Sequence, residues 1–434
     1  MRVLMFGWEF PPHIAGGLGT ACYGIVKGLA ENGVETLFVM PSASGDEDGS
    51  VATIINASDV PVMSVASSVD EFLDKVRFVR VGSNMIPYTN PDEFYELVEA
   101  EKKHREVSTD NIYGSKYRFS GKYGSNLLEE VARYAMVGGT IAVEHQDEFD
   151  VIHAHDWLTY PAGIHAKQVS GKPLCIHVHA TEYDRTRGNC NDDDPTYMIE
   201  RDGMNHADLI MCVSELTRRT VIEKYHQDPR KVIAMHNAVD PLSPDIVNAP
   251  VKRGTDEKVI TFLGRITAQK GCEFFVEAAA RCLWKAPNAR VVMAGSGDLM
   301  EPMIRLVAQK GLADRFHFTG FLRGKQVYEM FKASDVYVMP SVSEPFGISP
   351  LEAMECGCPA IISKQSGCGE ILSNCIKCDF WDIDAMADAM YSLITYPELH
   401  RYLQEEGRKE VAEITWEKVG QRVVDAYKRV LGWN

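Results

Sequence analysis

The 434-residue sequence predicts an α/β protein built as two parallel-sheet domains facing a central cleft. Three observations carry that prediction. Short apolar runs alternate with amphipathic stretches along nearly the whole chain, the pattern of strands joined by crossover helices. The length exceeds what one ordinary core holds. The segment Ala238–Glu257, with three prolines and little apolar periodicity, divides the alternation into two similar halves.

The expected division is 1–240 for the first domain, 241–257 for the linker, 258–415 for the second domain and 416–434 for a C-terminal helix. Strands are expected at Val3–Phe6, Thr36–Met40, Val76–Val81, Val151–Ala154, Leu174–Val178 and Leu209–Val213 in the first half. In the second they are expected at Val259–Leu263, Arg290–Ala294, Phe316–Thr319, Val336–Met339 and Ala360–Ile362. Many end in Gly, His, Ser or Pro, where the chain turns at the carboxyl edge of a sheet, the edge at which open α/β sheets bind ligands. A first helix should run from about Leu18 to Asn32, with Leu18, Cys22, Ile25 and Leu29 on its buried face and Gly33 as its stop. Over Trp416–Leu431, Val419, Val423, Tyr427 and Leu431 recur at i+4 steps, an amphipathic helix. Residues 87–126 break the rhythm. This stretch is polar and Tyr-rich, and reads either as a surface excursion or as an aromatic element on which sugar rings stack.

Composition narrows the function. Lys and Arg number 45 against 61 Asp and Glu, a net charge of −16. Such a surface repels nucleic acid and anionic membrane while leaving room for one small basic pocket. The eleven scattered cysteines, an odd number in a large chain, fit reduced thiols and a cytoplasmic location. Met1–Phe6 reads as an opening strand rather than a leader, and no stretch is long and apolar enough to span a bilayer. CIKC at 375–378 lacks the second ligand pair of a zinc site, so buried thiols and no metal are expected.

Four motifs carry chemistry. In GWEFPPHIAGGLG, Gly16, Gly17 and Gly19 stand at a helix entrance, where bare backbone approaches a ligand and free amides favour phosphate; a tight strand-to-helix turn explains them equally well. Neither this loop nor GSGDLM at 295–300 has the third glycine of the dinucleotide fingerprint. In FLGRITAQKG, a strand delivers Arg265 and Lys270 to a loop, two cations suited to a diphosphate, or two solvated surface charges. In SEPFGISPLEAMECGCP, Glu344 lies in a loop and Glu352 in the first turn of a helix, with Pro345 and Pro350 barring a continuous helix between them. Ser349 as N-cap with Glu352 three residues on also makes a capping box, a structural reason for that carboxylate. The loop Pro345–Ile348, with Phe346 and Gly347, offers amides to hydroxyls or phosphate. Finally, VIHAHDWL and LCIHVHATEYDR each read as a strand and a polar turn, bringing Asp156 and His179 to one edge, where a histidine is more often a satisfied structural residue than a catalytic one.

GGLG, HAHDWL, HATEYDR, VSELTRR, FLGRITAQKG and EPFGISPLEAMECGCP occur in that order, and the set resembles the retaining glycosyltransferases of the GT-B fold, in the group that includes glycogen and starch synthases. The resemblance covers nearly the whole chain apart from the Tyr-rich stretch. It implies two Rossmann-like domains, with the acceptor side on the first, the sugar nucleotide on the second, and the C-terminal helix crossing back to the first. It implies Arg265 and Lys270 as the donor diphosphate clamp, with Gly17 packed against the phosphates and Glu352 on the ribose. Glu344, with the amides of Phe346 and Gly347, would hold the donor sugar. His179 would stand beside the reacting sugar, and Asp156 on the acceptor side. No cofactor or metal is expected, because the cations neutralise the leaving group; ADP-glucose or UDP-glucose would be a substrate, and a glycan the acceptor. Where bacterial glycogen synthases carry Lys two residues before the paired glycines, this chain has Ile14. The competing readings are a glycosidase or phosphorylase using Glu344 and Glu352, and a non-catalytic sugar-nucleotide sensor.

Overall fold

The computed structural model describes residues 1–14, 16–62, 116–121, 127–250, 253 and 255–433. The first sheet contains β1 (Arg2–Phe6), β2 (Glu35–Met40), β3 (Thr53–Asn56), β4 (Val151–His155), β5 (Leu174–Val178), β6 (Leu209–Cys212) and β7 (Val232–Ala234), in the order β3-β2-β1-β4-β5-β6-β7. The second contains β8 (Lys258–Leu263), β9 (Ala289–Ala294), β10 (Phe316–Gly320), β11 (Val336–Met339), β12 (Ala360–Ser363) and β13 (Ile376–Cys378), in the order β10-β9-β8-β11-β12-β13. Every pairing is parallel. The central strands are apolar runs because helices cover both faces; Val3 to Phe6 and Val151 to Ile152 are fully buried.

Each sheet reverses its strand order once, between β1 and β4 in the first and between β8 and β11 in the second. The loops leaving such a pair diverge and open a crevice at the carboxyl edge. The two edges meet through their loops. Ser343 Oγ donates to Asp184 Oδ1 at 2.6 Å across the junction. Glu370 accepts the amides of Glu215 and Leu216, both at 2.8 Å, and lies 2.7 Å from His236 Nε2. These amides open the helix Glu215–Lys224, so the carboxylate of one domain caps a helix of the other.

Ten of the eleven predicted strands lie on observed ones, and the eleventh, Val76–Val81, falls outside the described residues, as does 87–126 apart from 116–121. Within 116–121, Phe119 returns to the first core, its ring centroid 6.1 Å from that of Tyr134. Strands β3, β7 and β13 were not anticipated; three or four residues are too few to display a period. The helix Ser349–Glu355 corrects one expectation. Its N-cap is Ile348, with no side-chain cap bond, so Ser349 lies inside the helix and the capping box does not form.

The helix Trp416–Leu431 packs on the helix Gly17–Glu31 of the first domain. Its Trp416, Val423 and Tyr427 are buried in the first core. The two backbones cross almost in contact: a Cβ on Gly420 would lie 2.2 Å from the carbonyl of Gly28, and one on Gly28 would lie 2.1 Å from the carbonyl oxygen of Trp416.

Candidate active site

The predicted residues gather on loops that leave β1, β4, β5, β8 and β11, four of which are the strands flanking the two reversals. After β1, Gly16 is the N-cap of the helix Gly17–Glu31 in extended conformation. The glycines there differ. A Cβ on Gly19 would strike Ile14 and the Glu9 carboxylate within 3.0 Å, whereas one on Gly17 would meet no atom within 4 Å. Gly19 is thus demanded by packing, and Gly17 faces open space at a helix entrance.

After β8 the chain passes Arg265 and turns into a short 3-10 helix, Ala268–Lys270, which brings Lys270 to the loop after β11. Lys270 Nζ lies 2.5 Å from Glu344 Oε2. Ser341 Oγ donates to the same oxygen at 3.0 Å. Arg265 reaches Gln269 Oε1 at 3.4 Å, and Gln269 Nε2 donates to the carbonyl of Ser343 at 3.0 Å. Arg265, Lys270 and Glu344 therefore belong to one assembly. Glu344 is only 6% exposed, so its carboxylate relies on the ammonium and the hydroxyl for partners. Its backbone is pinned to the next crossover by Glu344 N–H to Gln365 O and Gly367 N–H to Glu344 O, at 2.9 and 3.0 Å. Phe346 is buried behind the loop, and Gly347 takes φ +92°, a left-handed turn that suits glycine.

The second glycine-rich loop serves packing. A Cβ on Gly295 would lie 1.8 Å from Gly264 O, so these glycines let the loop after β9 press against the loop that carries Arg265.

Glu352 stands in the first turn of the helix after Gly347. Among the described residues no hydrogen bond to its carboxylate is seen. Burial, then the neighbouring charge of Glu355, pushes its pKa up to about 7. An acid left without donors at a crevice is ready for a ligand's hydroxyl groups.

On the first domain, His179 follows β5 and is partly exposed. Its Nε2 lies 2.9 Å from His155 Nδ1. Burial pushes its pKa down to about 3, so the ring is neutral at physiological pH. Asp156 is turned inward: its carboxylate accepts the amides of His179 at 2.7 Å and Ala180 at 3.4 Å, and it is 4% exposed. Burial raises its pKa to about 7 despite the nearby charge of Arg185 and the two amides. With φ +58°, Asp156 holds a left-handed backbone where β4 ends. Both amides fall on Oδ1, so that oxygen clamps the loop carrying His179. The loop is held again by Arg185, which pairs with Glu182 at 2.7 Å and with the buried Glu200.

Sequence reasoning missed His155, Glu370 and the bond between Ser343 and Asp184. The alternation in VIHAHDW and LCIHVHA was a usable signal for His155, since period two places alternate residues on one sheet face. Nothing local marks Glu370 or Ser343, whose partners come from the other domain.

Among the described residues no helix is long and apolar enough to cross a membrane.

Comparison with known proteins bears on the family and the fold. Residues 2–231 match the starch synthase catalytic domain, and residues 246–410 match the glycosyl transferases group 1. An uncharacterized glycosyltransferase of Methanocaldococcus jannaschii is 27% identical over 99% of this chain and 98% of its own. A glycogen synthase of Mycobacterium tuberculosis is 22% identical over 98% of this chain and 94% of its own. The fold superposes on that of a sucrose-phosphate synthase from Thermosynechococcus elongatus with TM-score 0.69 and 17% identity, covering 99% of both chains.

Proposed function

The chain belongs to the starch synthase catalytic domain family of glycosyltransferases, and on that premise we propose that it is a retaining enzyme transferring glucose from a sugar nucleotide to a glycan acceptor. The observation that carries the proposal is the assembly of Arg265, Lys270 and Glu344 at the reversal point of the second sheet, with Lys270 Nζ 2.5 Å from Glu344 Oε2. A cation that faces a diphosphate on one side and a sugar-binding carboxylate on the other spans the bond to be broken.

In this reading the diphosphate of ADP-glucose or UDP-glucose lies between Arg265, Lys270 and the open helix entrance at Gly17. Glu352 accepts the two ribose hydroxyls, which supply the donors its carboxylate lacks. Glu344 and the amides of Phe346 and Gly347 hold the glucose. The glucosyl carbon leaves the diphosphate oxygen and bonds to the acceptor oxygen, while the acceptor's proton passes to the departing diphosphate. Arg265 and Lys270 stabilise the charge that develops there, so the reaction needs no metal or other cofactor. His179, neutral at working pH, acts by hydrogen bonding beside the reacting sugar. Asp156 shapes the acceptor side indirectly, by fixing the loop that bears His179.

The glycosidase reading fits less well, because Glu344 is already paired to an ammonium and a hydroxyl. The test is a reaction with each sugar nucleotide and a glucan primer, in buffer containing EDTA, with proton NMR of the first product. The proposal expects an α-linked glucosyl product and release of nucleoside diphosphate. An inverted linkage, absolute dependence on added divalent metal, or hydrolysis without a nucleotide would overturn it.

A further inference from the structure

Four histidines stand on one face of two adjacent strands. His155 and His177 are register partners between β4 and β5; His153 lies two residues before His155 on β4, and His179 two residues after His177, just past the end of β5. The rings form a continuous array. Centroids are 4.3 Å apart for His153 and His155, 5.5 Å for His155 and His177, 4.6 Å for His177 and His179, and 5.2 Å for His155 and His179. His153, His155 and His177 have no exposed surface, whereas His179 reaches the edge. The inner end is closed by Tyr427 of the C-terminal helix, its hydroxyl 2.5 Å from His153 Nδ1.

Resting on the reading of His179 as the histidine beside the sugar, we propose that His155 is a positioning residue that sets the tautomer of His179. The bond between His155 Nδ1 and His179 Nε2 is the one ring-to-ring hydrogen bond seen in the array. Each neutral imidazole carries a single N–H, so one ring must donate and the other accept. His155 Nε2 is buried without a partner. If His155 accepted at Nδ1, its own proton would sit on that Nε2 and become a buried N–H with no acceptor. An orphaned N–H is the rarer and costlier defect; a bare ring lone pair is the milder one. His155 therefore donates from Nδ1, His179 accepts at Nε2, and the proton of His179 is left on Nδ1, free for a ligand. Burial holds all four rings neutral, which keeps this assignment fixed across physiological pH.

The three inner rings are poorly shaped for a metal. Nitrogens of His153, His155 and His177 lie within 4.8 Å of one another. Their planes, however, are nearly parallel, at 25° for His153 with His155, 12° for His153 with His177 and 15° for His155 with His177. Ring lone pairs lie in the ring planes, so near-parallel rings do not converge on one ion.

The test is nitrogen NMR of the full-length protein labelled at histidine, combined with kinetics of His155→Asn and His155→Leu. In the wild type the His179 signals should report a protonated Nδ1 and a bare Nε2. Asparagine places an amide donor near the position of Nδ1 and should keep both that pattern and most of kcat. Leucine should mix the tautomers and lower kcat about 10- to 100-fold with little change in donor KM, the scale of a misplaced reacting group. Protonation of His179 at Nε2 in the wild type would overturn the proposal whatever the variants do. Wild-type kcat in His155→Leu would overturn it as well. Full activity in His179→Ala would instead refute the role of His179 itself, and the NMR result would be read separately.

Discussion

Replacing Gly420 with alanine adds one methyl group where two helix backbones cross almost in contact. That carbon would lie 2.2 Å from both the carbonyl carbon and the oxygen of Gly28, and 2.8 Å from its Cα. Relaxed carbon contacts are about 3.5–4.0 Å, so the helices must separate by more than about 1 Å. The obstacle is backbone, which has no rotamer to swing aside. Separation also lifts the buried Trp416, Val423 and Tyr427 from their seats. Alanine favours a helix interior over glycine by about 1 kcal/mol, which offsets part of the damage. Overpacking a tight core costs about 1–3 kcal/mol, with rigid neighbours at the upper end, leaving a net loss of about 2 kcal/mol. The assay is denaturant unfolding of Gly420→Ala, Gly28→Ala and the double variant, with exposed Gln421→Ala as a control. Because both methyl groups wedge the same pair of helices apart, the double variant should lose less than the sum of the single ones. A Gly420→Ala protein as stable as the wild type would show that helix propensity outweighs the clash, and the reasoning would fail.

Lys270→Met should lower turnover about 10²- to 10³-fold by removing a cation from the departing diphosphate, and Arg265→Met should do so to a similar degree; steady-state kinetics at saturating donor check both, and near-normal rates would remove the donor site. Donor affinity should rise with pH through about 7, because Glu352 titrates there and only its ionised form is a full acceptor for ribose hydroxyls. In Glu352→Gln that dependence should flatten, as measured by calorimetric titration of nucleoside diphosphate, while melting temperature barely changes. His177, fully buried with both nitrogens unpartnered, is held well below its ordinary pKa by burial. Its contribution to stability is complete above about pH 6.5 and is lost as pH falls, because the unfolded chain takes up a proton there that the folded chain refuses. Comparing His177→Phe with the wild type, the variant should be less acid-sensitive by about 1.4 kcal/mol from pH 7.5 to 5.5, read from unfolding curves at each pH.

What the sequence reveals follows the range of the forces involved. Strands such as Val3–Phe6 and Val336–Met339 announce themselves because burial on both faces demands an unbroken apolar run. The helix Trp416–Leu431 announces itself because a single buried face demands a repeat near four. The edge strands β3, β7 and β13 escape because their positions are settled by a neighbouring strand rather than by their own composition. The cations Arg265 and Lys270 are visible as a motif, but the direct bond from Lys270 to Glu344 joins residues 74 apart in sequence and depends on how two loops meet. Ser349 shows the opposite failure, a local rule that predicts a cap where the tertiary fold starts the helix one residue earlier. Asp156 is legible as a residue at a strand end; that its carboxylate grips the backbone of His179 follows only from the pairing of β4 with β5.

The polypeptide travels from one half to the other twice, outward after β7 and back between the helices Pro397–Ala412 and Trp416–Leu431. The second domain is thus tethered at two points, like a door on two pins. A single tether would permit swivel and twist in any direction. Two tethers favour rotation about the line that joins them, so any relative motion of the halves is channelled towards one degree of freedom. A protease that severs the outward passage between β7 and β8 would leave two fragments with no covalent link, joined by the docked C-terminal helix, whose grip on the first helix would then decide whether they stay together.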